Sequence, residues 1–277
     1  MRRSPAVFLL ALLASCAPAT PPVIGLLTDY GTQDSYVAEL KGAIYAIAPD
    51  ARVTDLTHQV PSFDVREGSY LLGRAASQFP SGTIFVAVVD PGVGTERRAI
   101  AILTAKGKFF VGPENGVFTR IYEDEGPCVV RELTERRYWR APGTSTTFHG
   151  RDIFGPVAAH LSRGASIDAL GPRVDAPVRL ATTAAVRDGD AVIGEIIHVD
   201  VYGNCSTNIP ASLIGDGVFE VAGRRFPRKS TYAGVPEGSP VLVIDSEGRV
   251  ELALNMGNLG AAFGWKAGSP IRLTPGK

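Results

Sequence analysis

The sequence predicts an α/β fold, with an amino-terminal α/β domain built on a mainly parallel sheet and a smaller carboxyl-terminal β-barrel domain. Three observations carry this. Between residues 23 and 89, three apolar runs alternate with two stretches of helical spacing, the strand–helix–strand order of a parallel sheet. The third run, residues 84–89, is continuous rather than alternating, as in a strand buried on both faces. After residue 190 the texture changes to short apolar runs separated by Gly, Pro and Asn turns, which suits a small antiparallel barrel.

Residues 23–27 read as the first strand, with Thr28-Asp29-Tyr30-Gly31 at its carboxyl end. Val37, Leu40, Ile44 and Ile47 recur at helical spacing before Pro49, with Gln33, Asp34 or Ser35 available as the cap. Residues 52–57 form a second strand with His58 just beyond it. Residues 67–79 form a second helix stopped by Pro80, and residues 83–89 form a third strand ending at Asp90. Asp29, His58 and Asp90 thus fall at carboxyl ends of strands, the rim where open α/β sheets bind ligands. The turn after Asp90 carries Pro91, Gly92 and Gly94 and closes on Glu96, Arg97 and Arg98. Its glycines let the backbone turn tightly and approach a ligand; the competing reading is a structural turn with an exposed ion pair.

Residues 99–104 and 109–111 suggest a hairpin, and Pro113-Glu114-Asn115-Gly116 opens a short helix bearing Val117, Phe118 and Ile121, followed by a polar loop at 123–127. Phe148-His149-Gly150-Arg151-Asp152 precedes a helix over 156–161, with Pro156 in its first turn and Asp152 as a cap or first-turn acid. The small, polar stretch 181–190 divides the chain into an α/β catalytic domain, 23–183, and a barrel domain, 190–275. The barrel runs are 192–201, 218–221, 241–244, 250–254 and 271–273, with no helix of ordinary length among them.

The chain has 28 basic and 28 acidic side chains, so no global basic field exists to hold nucleic acid. Residues 1–22 read as a lipoprotein signal and tether: Arg2 and Arg3, an apolar core at 6–14, then Ser15 and Cys16. Leu13-Ala14-Ser15-Cys16 resembles the bacterial lipobox, which implies lipidation of Cys16; Ala17 after it leans towards an exported protein anchored in the outer membrane and facing the periplasm. A cleaved soluble precursor is the alternative. Cys128 and Cys205 are compatible with a disulfide in an exported protein but do not establish one, and neither has a CxxC partner or a His cluster, so no metal site is expected.

Several motifs occur together: TDYG at 28–31, VVDPGVGTERR at 88–98, PENG at 113–116, FHGRDIFGP at 148–156, DVYGNCSTNI at 200–209 and LNMGN at 254–258. In this order they resemble the S-adenosyl-L-methionine (SAM) hydroxide adenosyltransferases, the adenosine-forming SAM hydrolases, which are related to fluorinases and chlorinases. The resemblance covers about residues 23–273. It implies a trimer with the nucleoside bound between domains of neighbouring subunits, and a catalytic triad matched by Asp90, Arg97 and His149. It further implies that Asp29 binds the ribose hydroxyls, that Tyr70 and Phe148 flank the nucleoside, and that Asp200 and Asn204 hold the methionine portion. Ser246 would touch the amino-acid part, and backbone groups of Asn258 and Leu259 would read the adenine edge. PENG stands where the family more often has PDNG, which keeps the charge.

The implied reaction suits these residue types. The sulfonium of SAM makes ribose C5′ electrophilic, and methionine leaves as a neutral thioether, so neither a general acid nor a cofactor is expected. What must be supplied is a positioned oxygen nucleophile. Arg97 would stabilise developing hydroxide, Asp90 would orient or balance Arg97, and His149 would accept or relay the proton. Two alternatives follow from the same sequence: a SAM-dependent halogenase, disfavoured by a carboxylate that repels halide, and a lipid-anchored adenosine- or nucleoside-binding protein without turnover.

Overall fold

Six strands form the first sheet: β1 (Val23–Thr28), β2 (Arg52–Thr57), β3 (Ile84–Val88), β4 (Ala99–Thr104), β5 (Phe109–Pro113) and β6 (Cys128–Glu132), in the order β2-β1-β3-β5-β4-β6. The computed structural model that shows this describes residues 21–141 and 143–276; the signal segment, Cys16 and most of the tether lie outside the described residues. β2, β1, β3 and β5 run parallel, whereas β4 is antiparallel to both its neighbours. The continuous apolar character of β3 has its reason here, because helices cover both faces. Val86 and Val88 point to one face with α1 (Tyr36–Ile47) and α4 (Gly155–Ser162). Phe85 and Ala87 point to the other, with α2 (Val65–Ala76) and α3 (Thr119–Asp124).

Local chemistry sets the ends. α2 begins at Val65, two residues earlier than its apolar pattern suggests, because the Asp64 side chain accepts from the Glu67 amide at 2.9 Å. Ser35 is the residue before α1, but its hydroxyl donates to Glu39 at 2.8 Å rather than capping the helix. The loop expected at 123–127 is shorter, since α3 continues to Asp124. Strand β6 was not apparent in the sequence, being a half-buried edge with only Val130 fully inside. His58 does not join the rim site. Its Nδ1 lies 2.8 Å from Thr28 Oγ1 and its Nε2 lies 3.0 Å from Asp55, so the ring is turned inward as a structural group.

The second sheet is antiparallel and nearly closed. It comprises β7 (Val186–Asp188), β8 (Ala191–Val199), β9 (Cys205–Pro210), β10 (Val218–Val221), β11 (Arg224–Pro227), β12 (Pro240–Ile244), β13 (Arg249–Leu254) and β14 (Pro270–Pro275). The order is β11-β10-β14-β8-β9-β13-β12, with β7 on β8, and a bridge between Arg228 and Leu242 joins the two ends. β7 falls inside the stretch read as a linker. β9 was missed because it is polar, yet Thr207 stays buried by donating to the Val250 carbonyl at 2.7 Å. The one α-helix among the described residues of this part, α5 (Leu259–Phe263), has five residues and is capped by the Asn258 side chain. Cys128 and Cys205 are both free thiols.

Side chains of α2 and α3 tie the two parts together. Tyr70 stacks on His198 of β8 at 4.8 Å, and Glu67 Oε1 lies 2.5 Å from His198 Nδ1. Arg120 joins Asp124 at 2.9 Å to Glu247 of the β12–β13 turn at 2.6 Å.

One buried ion pair gives a direct test of packing in the first part. Lys108 Nζ donates to the Ala76 carbonyl at 2.7 Å and stands 3.1 Å from Glu125, with both side chains buried. Lys108→Met leaves Glu125 without its nearest cation and should cost about 3 kcal/mol in urea unfolding. A cost under about 1 kcal/mol would mean that the pair is not closed as described.

Candidate active site

Asp90 lies two residues beyond the end of β3, where the chain leaves the sheet at its carboxyl end. The turn after it is self-bonded: Val93 N–H donates to the Asp90 carbonyl at 3.2 Å and Thr95 Oγ1 to the Gly92 carbonyl at 2.7 Å. Gly94 has φ +77°, and a side chain there would run into the carbonyl oxygen of Thr146. That close approach seats the turn against the segment carrying His149. Arg97 can then place its guanidinium between the two. Its Nε donates to Asp90 Oδ1 at 2.9 Å, its Nη2 to Asp90 Oδ2, and Nη2 also lies 2.7 Å from His149 Nδ1. The Asp90 and Arg97 side chains are only 5% and 9% exposed, so this fork is a desolvated one. Phe154 lies beneath, with the guanidinium 5.4 Å above its ring and the imidazole edge-on at 6.4 Å.

This geometry fixes the state of His149. Burial first, and the Arg97 charge second, push its pKa below the usual value, against smaller opposing effects of Asp90 and Asp152. The ring is therefore neutral near pH 7. Arg97 has only N–H donors, so Nδ1 must be the acceptor and the ring proton sits on Nε2. His149 thus presents a donor, and its Nδ1 lone pair is occupied. The expectation that His149 takes a proton from water changes accordingly.

Asp90 and His149 line a cavity of about 400 Å³ together with Asp29 and Phe148. Asp29 comes from the end of β1, next to β3 in the sheet, which is why two strand-end carboxylates share one space. Asp29 Oδ2 accepts from the Phe63 amide at 2.9 Å. Tyr30, Tyr36 and Phe148 pack edge to face at 5.5–5.8 Å and form an aromatic wall. Burial, followed by the charges of Asp29 and Asp90, raises the Tyr30 pKa, so its hydroxyl stays protonated. Tyr36, Ser62 and Phe63 line the cavity and were missed by the sequence reading. Phe63 is 70% exposed and has φ 69°, a left-handed conformation that costs about 1–2 kcal/mol for a non-glycine residue. An aromatic just before the capping acid Asp64 is the only sequence signal it carries.

The remaining residues singled out from the sequence lie elsewhere in the chain. Tyr70 is buried between the two parts, bonded to Arg74 at 2.8 Å, and lines a separate cavity of about 540 Å³. Asp200 and Asn204 form one closed turn on the barrel: Asp200 Oδ1 accepts from the amides of Tyr202 at 2.9 Å and Asn204 at 2.8 Å, and Oδ2 accepts from Asn204 Nδ2 at 3.0 Å. Gly203 of that turn has φ +85° and packs directly on Asn258, so these two motifs are neighbours. Leu259 is fully buried in the barrel core, and Ser246 is exposed in the β12–β13 turn. None of these six lines the cavity that holds Asp90. Among the described residues, no group of three His, Cys, Asp or Glu side chains gathers as a metal-binding cluster.

A two-part fold with a buried carboxylate–guanidinium–imidazole cluster opening on an aromatic-walled cavity defines an enzyme with a small-molecule site. Two family models, described as the SAM hydroxide adenosyltransferase N-terminal and C-terminal domains, match residues 24–171 and 194–272. The chain belongs to the SAM hydroxide adenosyltransferase family. A Thermus thermophilus relative named (R)-S-adenosyl-L-methionine hydrolase is 41% identical over 89% of this chain and 97% of its own length. A fluorinase of an Actinoplanes species is more distant, 27% identical over 91% of this chain and 97% of its own. The crystal structure of an uncharacterized conserved protein from Thermotoga maritima superposes with a TM-score of 0.86 and 39% identity, covering 91% of this chain and 99% of the other.

Gly94→Ala tests how the cluster is assembled. The added methyl group meets both a left-handed φ and the Thr146 carbonyl, so about 1–3 kcal/mol of stability should be lost in thermal unfolding. Unchanged stability would show that the turn does not bear on the 146–149 segment.

Proposed function

We propose that this enzyme hydrolyses SAM to adenosine and L-methionine by attack of water at ribose C5′. The observation that carries the reading is the Arg97 fork, which holds Asp90 and neutral His149 around one side of the cavity. In the proposed step a water bound there donates to Asp90 and accepts from His149 Nε2–H. Its oxygen forms the bond to C5′ while the C5′–sulfur pair leaves with methionine. The oxygen that has just bonded to C5′ is strongly acidic, so its proton passes to the Asp90 carboxylate and hydroxide need not form first. Arg97 holds Asp90 in line and keeps the imidazole neutral. In the same reading Asp29 accepts from the ribose hydroxyls and the wall containing Phe148 flanks the nucleoside.

The second half of the site belongs to a neighbouring chain in this reading, and the working form is a homotrimer. Support comes from the barrel. Val201 and Tyr202, in the Asp200–Asn204 turn, are 91% and 74% exposed, and Met256, two residues before Asn258, is 83% exposed. Such apolar tips beside Asp200, Asn204 and Asn258 suit docking over the cavity of another copy. Tyr70 is then a residue that fixes the barrel on α2 rather than one that touches the nucleoside. The lipid anchor at Cys16 and an outer-membrane location facing the periplasm form part of the same proposal; they are supported by the charge, apolar core and cysteine of residues 2–16.

Four outcomes test these statements. Purified enzyme beginning after Cys16 should convert SAM to equal amounts of adenosine and methionine by chromatography, with no turnover in Asp90→Ala. His149→Ala should lose on the order of 10²-fold in kcat while still binding adenosine. Tight adenosine binding with no turnover in the wild type would instead favour a nucleoside-binding protein. The acid limb of the rate should lie below the ordinary histidine value, because burial and the Arg97 charge lower the His149 pKa and the rate drops once the ring charges. An acid limb at or above the ordinary histidine value would contradict this. Finally, co-expressed Asp90→Ala and Asn204→Ala chains should recover roughly a quarter of wild-type activity, since random cyclic assembly pairs two intact halves at that frequency. No recovery would place both halves in one chain.

A further inference from the structure

Asp152 is a fully buried carboxylate that the reaction does not use. It caps neither the π turn at Gly150–Phe154 nor α4, although its place in the sequence suggests a cap. Four donors converge on it instead: Arg151 Nε at 2.7 Å and Nη2 at 3.0 Å, the Ser145 amide at 2.8 Å, and Arg140 Nη1 at 3.4 Å. Its backbone is equally committed, with its N–H donating to the Phe148 carbonyl at 3.1 Å and its carbonyl accepting from the Arg140 amide at 2.9 Å. Arg151 extends the framework outward. Its Nη1 reaches Glu39 of α1 at 3.0 Å, and its guanidinium covers the Phe148 ring at 4.8 Å.

His149 lies inside this framework. Ser145, Phe148 and Asp152 are its neighbours on both sides in sequence, and Gly150 is pressed against the Tyr30 hydroxyl so closely that no side chain fits. We propose that Asp152, through its fork with Arg151 and its bond to the Ser145 amide, is the positioning residue that holds His149 Nδ1 on Arg97. It touches neither the cavity nor the imidazole ring. A merely structural ion pair of this kind is replaceable and often costs more to desolvate than it returns. Here each bond of the carboxylate ends on the segment that carries His149 or on its flanks.

The role is geometric rather than electrostatic. The charged or titratable groups around His149 are Asp90 and Arg97 from the turn after β3, Asp29 and Tyr30 after β1, Tyr36 of α1 across the cavity, and Asp152 from its own turn. The Arg151 charge is taken up by Asp152 and Glu39. The Asp152 charge raises the His149 pKa and so offsets part of the lowering by burial and Arg97.

The activity arm of the test rests on the hydrolase reading; the titration arm does not. Asp152→Asn keeps the shape and removes the charge. In the folded variant, kcat should fall on the order of 10- to 100-fold, with the KM for SAM and the adenosine Kd within about threefold. The His149 Hε1 resonance, assigned by its loss in His149→Gln, should titrate at higher pH than in the wild type, because a ring released from Arg97 loses the lowering effect of that charge, whereas loss of the Asp152 charge alone would lower it. An unchanged kcat, or a His149 titration that is unchanged or lowered, would overturn the proposal. If Asp152→Asn does not fold, Arg151→Lys, which keeps the charge and loses the fork, is judged by kcat and KM alone, with unchanged kcat again overturning it. Should the wild type not turn over SAM, the hydrolase reading fails, and the His149 titration in Asp152→Asn still decides the positioning role.

Discussion

The guanidinium of Arg97 joins two loops that lie 52 residues apart in sequence, and the site depends on that junction. A buried carboxylate beside a buried guanidinium is an expensive arrangement, worth keeping where its geometry is used. Because Arg97 offers only donors, one contact settles the tautomer of His149, and its charge helps to keep that ring neutral. The same contact requires the backbone of the DPGVG turn to lie against Thr146, which only a glycine at 94 permits. Phe154 fills the space below both groups, so water cannot separate them from underneath.

The sheet supplies the rest of the cavity by adjacency. β1 and β3 are neighbours, so the acids that end them face each other across one opening, with aromatics from α1 and from the 145–149 loop as its wall. The barrel contributes a second set of motif residues, already locked into shape by their own hydrogen bonds and flanked by exposed apolar side chains. Glu67, Tyr70 and Arg120 fix the placement of the barrel on the amino-terminal part, and the strained Phe63 lines the Asp90 cavity.

Much of this was readable from the residues, and the failures have physical causes. The parallel sheet followed from continuous apolar runs, and the barrel from short runs between turns. Strand ends located Asp29 and Asp90, but an apolar run does not reveal its neighbour, and His58 reached the same rim only to be turned inward by Thr28 and Asp55. No periodicity marks His149; the motif order did. Polar β9 and half-exposed β6 escaped because they lack an apolar stripe. The π turn before α4 escaped because Pro156 reads as a helix start while the helical path begins earlier, at Gly150. Phe63 and Tyr36 escaped because an exposed aromatic is recognised only once the cavity beneath it is seen.

The most direct measurement is hydrolysis of SAM in ¹⁸O-labelled water, with mass spectrometry of both products. Attack at C5′ by the water held between Asp90 and His149 predicts one ¹⁸O in the 5′-hydroxyl of adenosine and none in methionine. Label in methionine, or a nucleoside that retains sulfur or carries halogen at C5′, would contradict the account.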